Sequence, residues 1–296
     1  MNPGAVGIDL GGTQIKAVVV DAEGNMVRSE LRPTFSDSGD PQSWAATIRE
    51  LADEFGANLP VGISAPGLAA SDRRSIACMP GRLRGLEGLD WSSHLGRTHI
   101  VPVTNDAHAS ILGEGWVGAA RELKNVVMIT LGTGVGGAAI VDGKLLRGHI
   151  GRGGHLGHVC LDLHGTLDIV GTPGSLEDFI GNHNVRERTQ GRFETTHELI
   201  EAYRTGHVEA SRFWLASIHA LACALVSFIN ILDPEAIIIG GGISRAGSAL
   251  FVPLQAELDW MEWRPAGHRV DVRVASLGEW AGAIGAAREA MLCEFK

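Results

Sequence analysis

Apolar residues in this chain fall into short unbroken runs set off by glycine and aspartate, with helically spaced stretches between them. Residues 6–9 read as a buried strand broken at Gly11-Gly12, and 15–20 as a second strand. Asp21 and Gly24 supply turn chemistry, after which 25–29 returns as a third strand. Asp40 then offers an N-cap with Pro41 at the first helical position, and Trp44, Ile48, Leu51 and Phe55 fall on one helical face. Strands are expected at 60–64 and 99–103, followed by a helix over 107–118. Further on, 213–232 reads as a long helix and 236–239 as a strand ending in Gly240, Gly241 and Gly242. Helices follow at 246–258 and 280–293. Strands alternating with helices throughout predict an α/β architecture.

The opening segment recurs. Val6, Ile8, Leu10, Gly11, Ala17, Val20 and Asp21 reappear as Val127, Ile129, Leu131, Gly132, Ala138, Val141 and Asp142, each 121 residues later (127 − 6). Seven identities in the 16 positions from 6 to 21, with matched turns, indicate two duplicated halves, each offering a glycine hairpin.

Composition narrows the function. A chain of 296 residues, 45% apolar and 20% charged, can bury one large core or two modest ones. Twenty-five Lys and Arg against 34 Asp and Glu leave a net charge of −9 without any basic run, which argues against nucleic acid and anionic membrane surfaces as partners. Four cysteines with no C-x-x-C pair read as free buried thiols in a reducing cytoplasm. No secretion signal is expected from residues 1–5. The apolar stretch 213–232 holds His219 and Asn230 and ends at Asp233-Pro234, as a core helix does rather than a membrane span.

Several motifs could carry chemistry. The run DLGGTQIK at 9–16 places two glycines, a hydroxyl and a cation directly after a strand. Backbone N–H groups at such a turn can approach phosphate oxygens closely, and Asp9 suits water-mediated contact with Mg²⁺. A plain hairpin turn is the alternative. LGTGVGG at 131–137 is a second such hairpin. It also fits G-x-G-x-x-G, but strand rather than helix follows and no acid lies in 151–158, so a dinucleotide site is rejected. Gly240–Gly242 could admit a flat adenine or ribose against bare backbone. Asp106, after Asn105, is either a helix N-cap or a base that takes a proton from a hydroxyl. His155 and His158 lack partners at metal spacing, and Glu177 alone could be a solvated helix-start acid.

Together these segments resemble the ROK family of sugar kinases and repressors, within the actin-like, hexokinase-type ATPases. DLGGTQIK matches its first phosphate segment, GISAPG at 62–67 its sugar-domain turn, Asn105-Asp106 its catalytic pair and 131–137 its second phosphate segment. Residues 151–158 and 171–177 match its signature region, Gly240–Gly242 its adenosine segment and 281–287 its final helix. The resemblance implies two actin-like (ribonuclease H-like) domains flanking a cleft, 1–107 completed by 284–296, and 108–283. It implies ATP and Mg²⁺ as cofactors, Asp106 as general base on a sugar hydroxyl, and Asp9 at Mg²⁺. ATP would be held at Gly11, Gly12, Thr13, Lys16, Gly132, Thr133, Gly134, Gly136 and Gly240–Gly242. Sugar would be held at Pro66, Gly67, Asn105, His155, His158 and Glu177. A cytoplasmic homodimer acting on a hexose, amino sugar or related polyol is implied as well.

Three departures alter that picture. His155 stands where most members have Glu, and Gly81 follows Pro80 where many have Asn. Asp168, Val170 and Ser175 occupy three thiolate positions of the family's zinc site, so no structural zinc is expected. The loop 161–174 would then be held by packing of Leu163, Leu167, Ile169 and Val170. Two rivals remain: a sugar-binding regulator without catalysis, and a repressor, for which eight residues before Asp9 leave no helix-turn-helix.

Overall fold

The computed structural model describes residues 3–35, 42–79 and 83–294. The expected cap at Asp40-Pro41 and the Pro80-Gly81 departure lie outside them. In chain order the elements are β1 (Pro3–Leu10), β2 (Gln14–Asp21), β3 (Met26–Pro33), α1 (Ser43–Gly56), β4 (Val61–Ala65), β5 (Leu68–Ala69) and β6 (Ile76–Cys78). Then come α2 (Trp91–His94), β7 (Val103–Asn105), α3 (Asp106–Val117), β8 (Val126–Leu131), β9 (Val135–Val141) and β10 (Lys144–Leu145). The remainder is α4 (Leu176–Ile180), α5 (Val185–Arg188), α6 (Thr196–Arg204), α7 (Val208–Leu232), β11 (Ala236–Gly240), α8 (Ser248–Met261), β12 (Asp271–Val274) and α9 (Ala281–Glu294). The chain divides into two compact units. One holds the residues up to Glu122 with Leu145–Gly154 and those from Ala275 onward; the other holds Leu123–Lys144 and His155–Val274. The first unit thus takes in α3, beyond the boundary expected at 107.

The first unit is built on a five-stranded sheet in the order β3-β2-β1-β4-β7. Strands β1, β2, β4 and β7 are buried on both faces, which is why the first three read as apolar runs, whereas the edge strand β3 is mostly exposed. Ile15, Ala17 and Val19 of β2 enter a core with Trp44, Ile48 and Leu51 of α1. Val18 and Val20 enter the opposite core with Ala283, Ile284 and Ala287 of α9. The helix α9 lies close on the sheet because Gly7 has no side chain; a Cβ there would strike the Ala283 carbonyl. Burying each aliphatic side chain of α1 contributes about 1.5–3 kcal/mol.

The second unit repeats the plan. Its sheet runs β10-β9-β8-β11-β12, with β8 antiparallel to β9 and parallel to β11, as β1 is to β2 and β4. The recurrence at 121 residues is therefore a recurrence of topology. The helix α7 is long and apolar enough to cross a membrane by length and composition. Its inner face, with Trp214, Ile218, Leu221, Leu225 and Phe228, is buried in this unit.

Four expectations are corrected. The strand expected over 99–103 begins only at Val103, where pairing with Ile63 starts, although Pro102 O already accepts from Ile63 N–H at 2.9 Å. The helix expected from 246 starts at Ser248, after a 3-10 turn at Gly242–Ala246 and Gly247 at φ 58°. The four cysteines are free but not buried: Cys78 and Cys160 are exposed and the other two half-buried. Finally, Leu163, Leu167, Ile169 and Val170 do not pack; they are 72%, 71%, 59% and 56% exposed. Backbone hydrogen bonds hold that loop instead, from Leu161 N–H to Gly174 O (2.8 Å), Gly174 N–H to Thr166 O (2.8 Å) and Asp168 N–H to Thr172 O (2.9 Å).

Candidate active site

In the first unit the site residues cluster at the ends of β1, β4 and β7. Antiparallel pairing sets Lys16 opposite Asp9, and parallel pairing sets Ser64 on its other side. Hence the Lys16 ammonium lies 3.8 Å from Asp9 Oδ2, and the Ser64 hydroxyl donates to Oδ1 at 2.6 Å. Burial pushes the Asp9 carboxyl up, and Lys16 and Ser64 only partly draw it back. Asn105 caps α3: its Oδ1 accepts from Ala107 and His108 N–H, while its Nδ2 donates to Gly67 O at 2.9 Å. Asp106 opens the helix. Its side chain is open to solvent although protein surrounds it deeply, and its carboxyl is pushed up to about 6, first by desolvation and then by the charge of Asp9.

The β1–β2 turn is exposed at Gly12 and Thr13, and nothing lies within 4 Å of where a Gly12 side chain would stand. Two of its carbonyls are drawn back by one buried residue. The Thr34 hydroxyl donates to Gly11 O (2.7 Å) and its N–H to Thr13 O (3.0 Å). In a trans peptide the carbonyl and the following N–H point in opposite directions. Tying back these carbonyls therefore turns the Gly12 and Gln14 N–H groups the other way, an arrangement that can receive an anion.

The second unit uses the same device. Asn182 N–H donates to Gly132 O (3.0 Å) and His183 N–H to Thr133 O (2.8 Å), which turns the Thr133 and Gly134 amides outward. Glu177, in the first turn of α4, accepts from Val135 N–H at 2.8 Å. A side chain at Gly134 would collide with that carboxylate. Gly240 pairs with Thr130, so the Gly240–Gly242 turn lies beside this hairpin, with Gly241 and Gly242 exposed. The 3-10 turn Leu156–His158 packs on Val135 through Gly157, and His155 precedes it. His158 Nδ1 lies 2.8 Å from Asp168 Oδ2.

The residues expected from the sequence thus gather in two sets: Asp9, Gly11, Gly12, Thr13, Lys16, Pro66, Gly67, Asn105 and Asp106 in the first unit, and the other ten in the second. Thr34, Asn182 and His183 were not anticipated; only the long-range pairing that brings them to the turns reveals them. The Asp9 carboxylate, a hard oxygen ligand with a cation and a hydroxyl already beside it, fits Mg²⁺ held through water. The zinc positions fit no such ion: Val170 has no donor atom and Asp168 is occupied by hydrogen bonds.

The chain is similar to known sugar kinases. The chain is 33% identical to a glucokinase of Thermotoga maritima over 95% of both chains. It is 32% identical to an N-acetyl-D-glucosamine kinase of Yersinia enterocolitica, over 81% of this chain and 84% of that one. The crystal structure of a ROK family glucokinase from Streptomyces griseus, in complex with glucose and AMPPNP, superposes over the full length of both chains with a TM-score of 0.80 at 28% identity. The family model for ROK matches residues 5–291, and the chain belongs to the ROK family.

Proposed function

We propose that this ATP-dependent carbohydrate kinase transfers the γ-phosphoryl group of ATP to a primary hydroxyl of a hexose or amino sugar, with Asp106 as general base. The observation that carries the reading is Asp106 itself: reachable by solvent, at a helix start, its carboxyl pushed up to about 6. A base in that range is mostly ionised at neutral pH yet basic enough to take a hydroxyl proton as the oxygen attacks. Phosphoryl transfer otherwise needs alignment and charge neutralisation. The outward amides of the two glycine turns, with Thr13, Thr133, Gly136 and Lys16, serve the phosphates, and Gly240–Gly242 serves the nucleoside.

Asn105, Pro66, Gly67, His155, His158 and Glu177 serve the sugar. Mg²⁺, placed by Asp9, supplies neutralisation of phosphate charge when bound. The reading carries with it a cytoplasmic homodimer. Glucose and N-acetylglucosamine are the first candidate substrates, since curated relatives act on them by name. Coupled ATP turnover against a sugar panel, with NMR of the product, tests the reading. Phosphate on a primary hydroxyl of one or more sugars is expected. Tight sugar binding without turnover would overturn it in favour of a regulator.

A further inference from the structure

The segment between the His158 turn and α4 is closed by backbone hydrogen bonds, among them Leu176 N–H to Val159 O (3.1 Å), and at its centre lies one buried carboxylate. The Asp168 side chain is 1% exposed. Its Oδ1 accepts from Val170 N–H (3.0 Å) and Thr172 N–H (2.8 Å), and its Oδ2 faces His158 Nδ1 (2.8 Å). His158, by contrast, keeps 22% of its side chain open. We propose that Asp168 is a positioning residue that holds His158 in one tautomer, with the proton on Nδ1, so that Nε2 meets the sugar as a hydrogen-bond acceptor. The inference rests on the reading above that His158 contacts a sugar hydroxyl.

An ionised carboxylate can only accept hydrogen bonds. Burial raises the Asp168 carboxyl, but the bonds from Thr172 N–H, His158 and the residues beside them outweigh it, and the net position is below the usual range. The ring atom facing Oδ2 must therefore carry a proton, and a neutral imidazole has only one. Nε2 is left with its lone pair. A metal ion on Nδ1 would do the reverse, taking that lone pair and leaving Nε2–H as a donor. A carboxylate in place of a metal thus inverts the polarity of the nitrogen offered to substrate, and with it the hydroxyl geometry that is preferred.

Asp168→Asn separates this role from a structural one. In that variant the amide oxygen can still accept from Val170 and Thr172 N–H, but the amide NH₂ group would face Nδ1 of His158, forcing the ring proton onto Nε2. Long-range ¹H–¹⁵N correlation of histidine-labelled protein at neutral pH, assigned with His158→Gln, reads the tautomer without any turnover. The Nδ1–H form is expected in the wild type and the Nε2–H form in Asp168→Asn. In kinetics, Asp168→Asn should raise the sugar KM about three- to tenfold, the worth of one hydrogen bond, with kcat and the ATP KM little changed. Fluorodeoxy sugars, which accept weakly and cannot donate, should lose less affinity in the variant than in the wild type. A wild-type ring protonated on Nε2, an unchanged tautomer in a folded Asp168→Asn, or one tightly held zinc per chain by elemental analysis would each overturn the inference. If Asp168→Asn does not fold, the wild-type spectrum decides alone. A wild type that phosphorylates no sugar would defeat the proposed function and leave the tautomer result standing.

Discussion

Glu177 Oε2 and Val135 N–H are joined by a 2.8 Å hydrogen bond, so an acid assigned to the sugar is also part of the second glycine hairpin. The bond fixes the peptide directly after Gly134, whose missing side chain makes room for the carboxylate. Glu177→Ala should raise the KM for ATP as well as for sugar, on the order of tenfold, because a freed peptide no longer holds the neighbouring amides toward phosphate. Glu177→Gln keeps an acceptor for Val135 and should recover most of the ATP affinity. Steady-state kinetics with each substrate varied checks this; an ATP KM unchanged in Glu177→Ala would confine the residue to sugar binding.

Asp106→Asn retains the size and polarity of the side chain but removes the proton acceptor. Loss of general-base catalysis should lower kcat by about 10²–10⁴-fold. ATP affinity, measured by calorimetry with a non-hydrolysable analogue, should stay within about twofold, since the phosphate amides lie on other segments. Turnover close to wild type would remove Asp106 from the chemistry.

With Asp106 as the proposed base, its carboxyl near 6, raised by desolvation and then by Asp9, should set the acid limb of activity. Protonated Asp106 cannot accept the hydroxyl proton, so kcat/KM for sugar should fall about tenfold per pH unit below 6 and level off above it. The sign for stability is opposite. The folded state holds this proton more tightly than the unfolded chain, so the contribution of this group to stability grows as pH falls from 6 toward the ordinary aspartate range, and is lost as pH rises through 6. A pH–rate profile at saturating Mg²⁺ and ATP gives the limb; one centred near 4 would mean that Asp106 titrates as an ordinary acid.

What the sequence revealed and what it hid have different physical scales. Strands buried on both faces, such as 15–20, announce themselves as apolar runs, and paired glycines mark their turns. The internal recurrence of Val6 to Asp21 at Val127 to Asp142 even carried the shared sheet order. The loop 161–174 departs from that rule: apolar side chains such as Leu163 suggest packing, whereas its order comes from backbone groups and Asp168, which composition does not disclose. Pro102 could have been read as a warning inside the expected strand, since a residue without an N–H is confined to edge strands, first positions and bulges. Asn182 and His183 could not: they reach the second hairpin through tertiary folding some 50 residues along the chain.

Thr34 gives the clearest test of how the first turn is held. It is fully buried, its hydroxyl donates to Gly11 O at 2.7 Å, and its N–H donates to Thr13 O at 3.0 Å. Thr34→Val keeps the shape and the backbone bond but deletes the hydroxyl bond, leaving the Gly11 carbonyl free to rotate and the Gly12 amide with it. Stability should fall by about 1 kcal/mol, the usual net worth of one such bond. The ATP KM should rise about three- to tenfold while the sugar KM holds, because the disturbed amide lies in the phosphate turn and not beside Asn105 or Gly67. Thr34→Ser restores the hydroxyl and should restore the ATP KM. Thermal melts and two-substrate kinetics on both variants decide it: a stability loss with no change in the ATP KM would make Thr34 a packing residue only, and the outward amides would need another support.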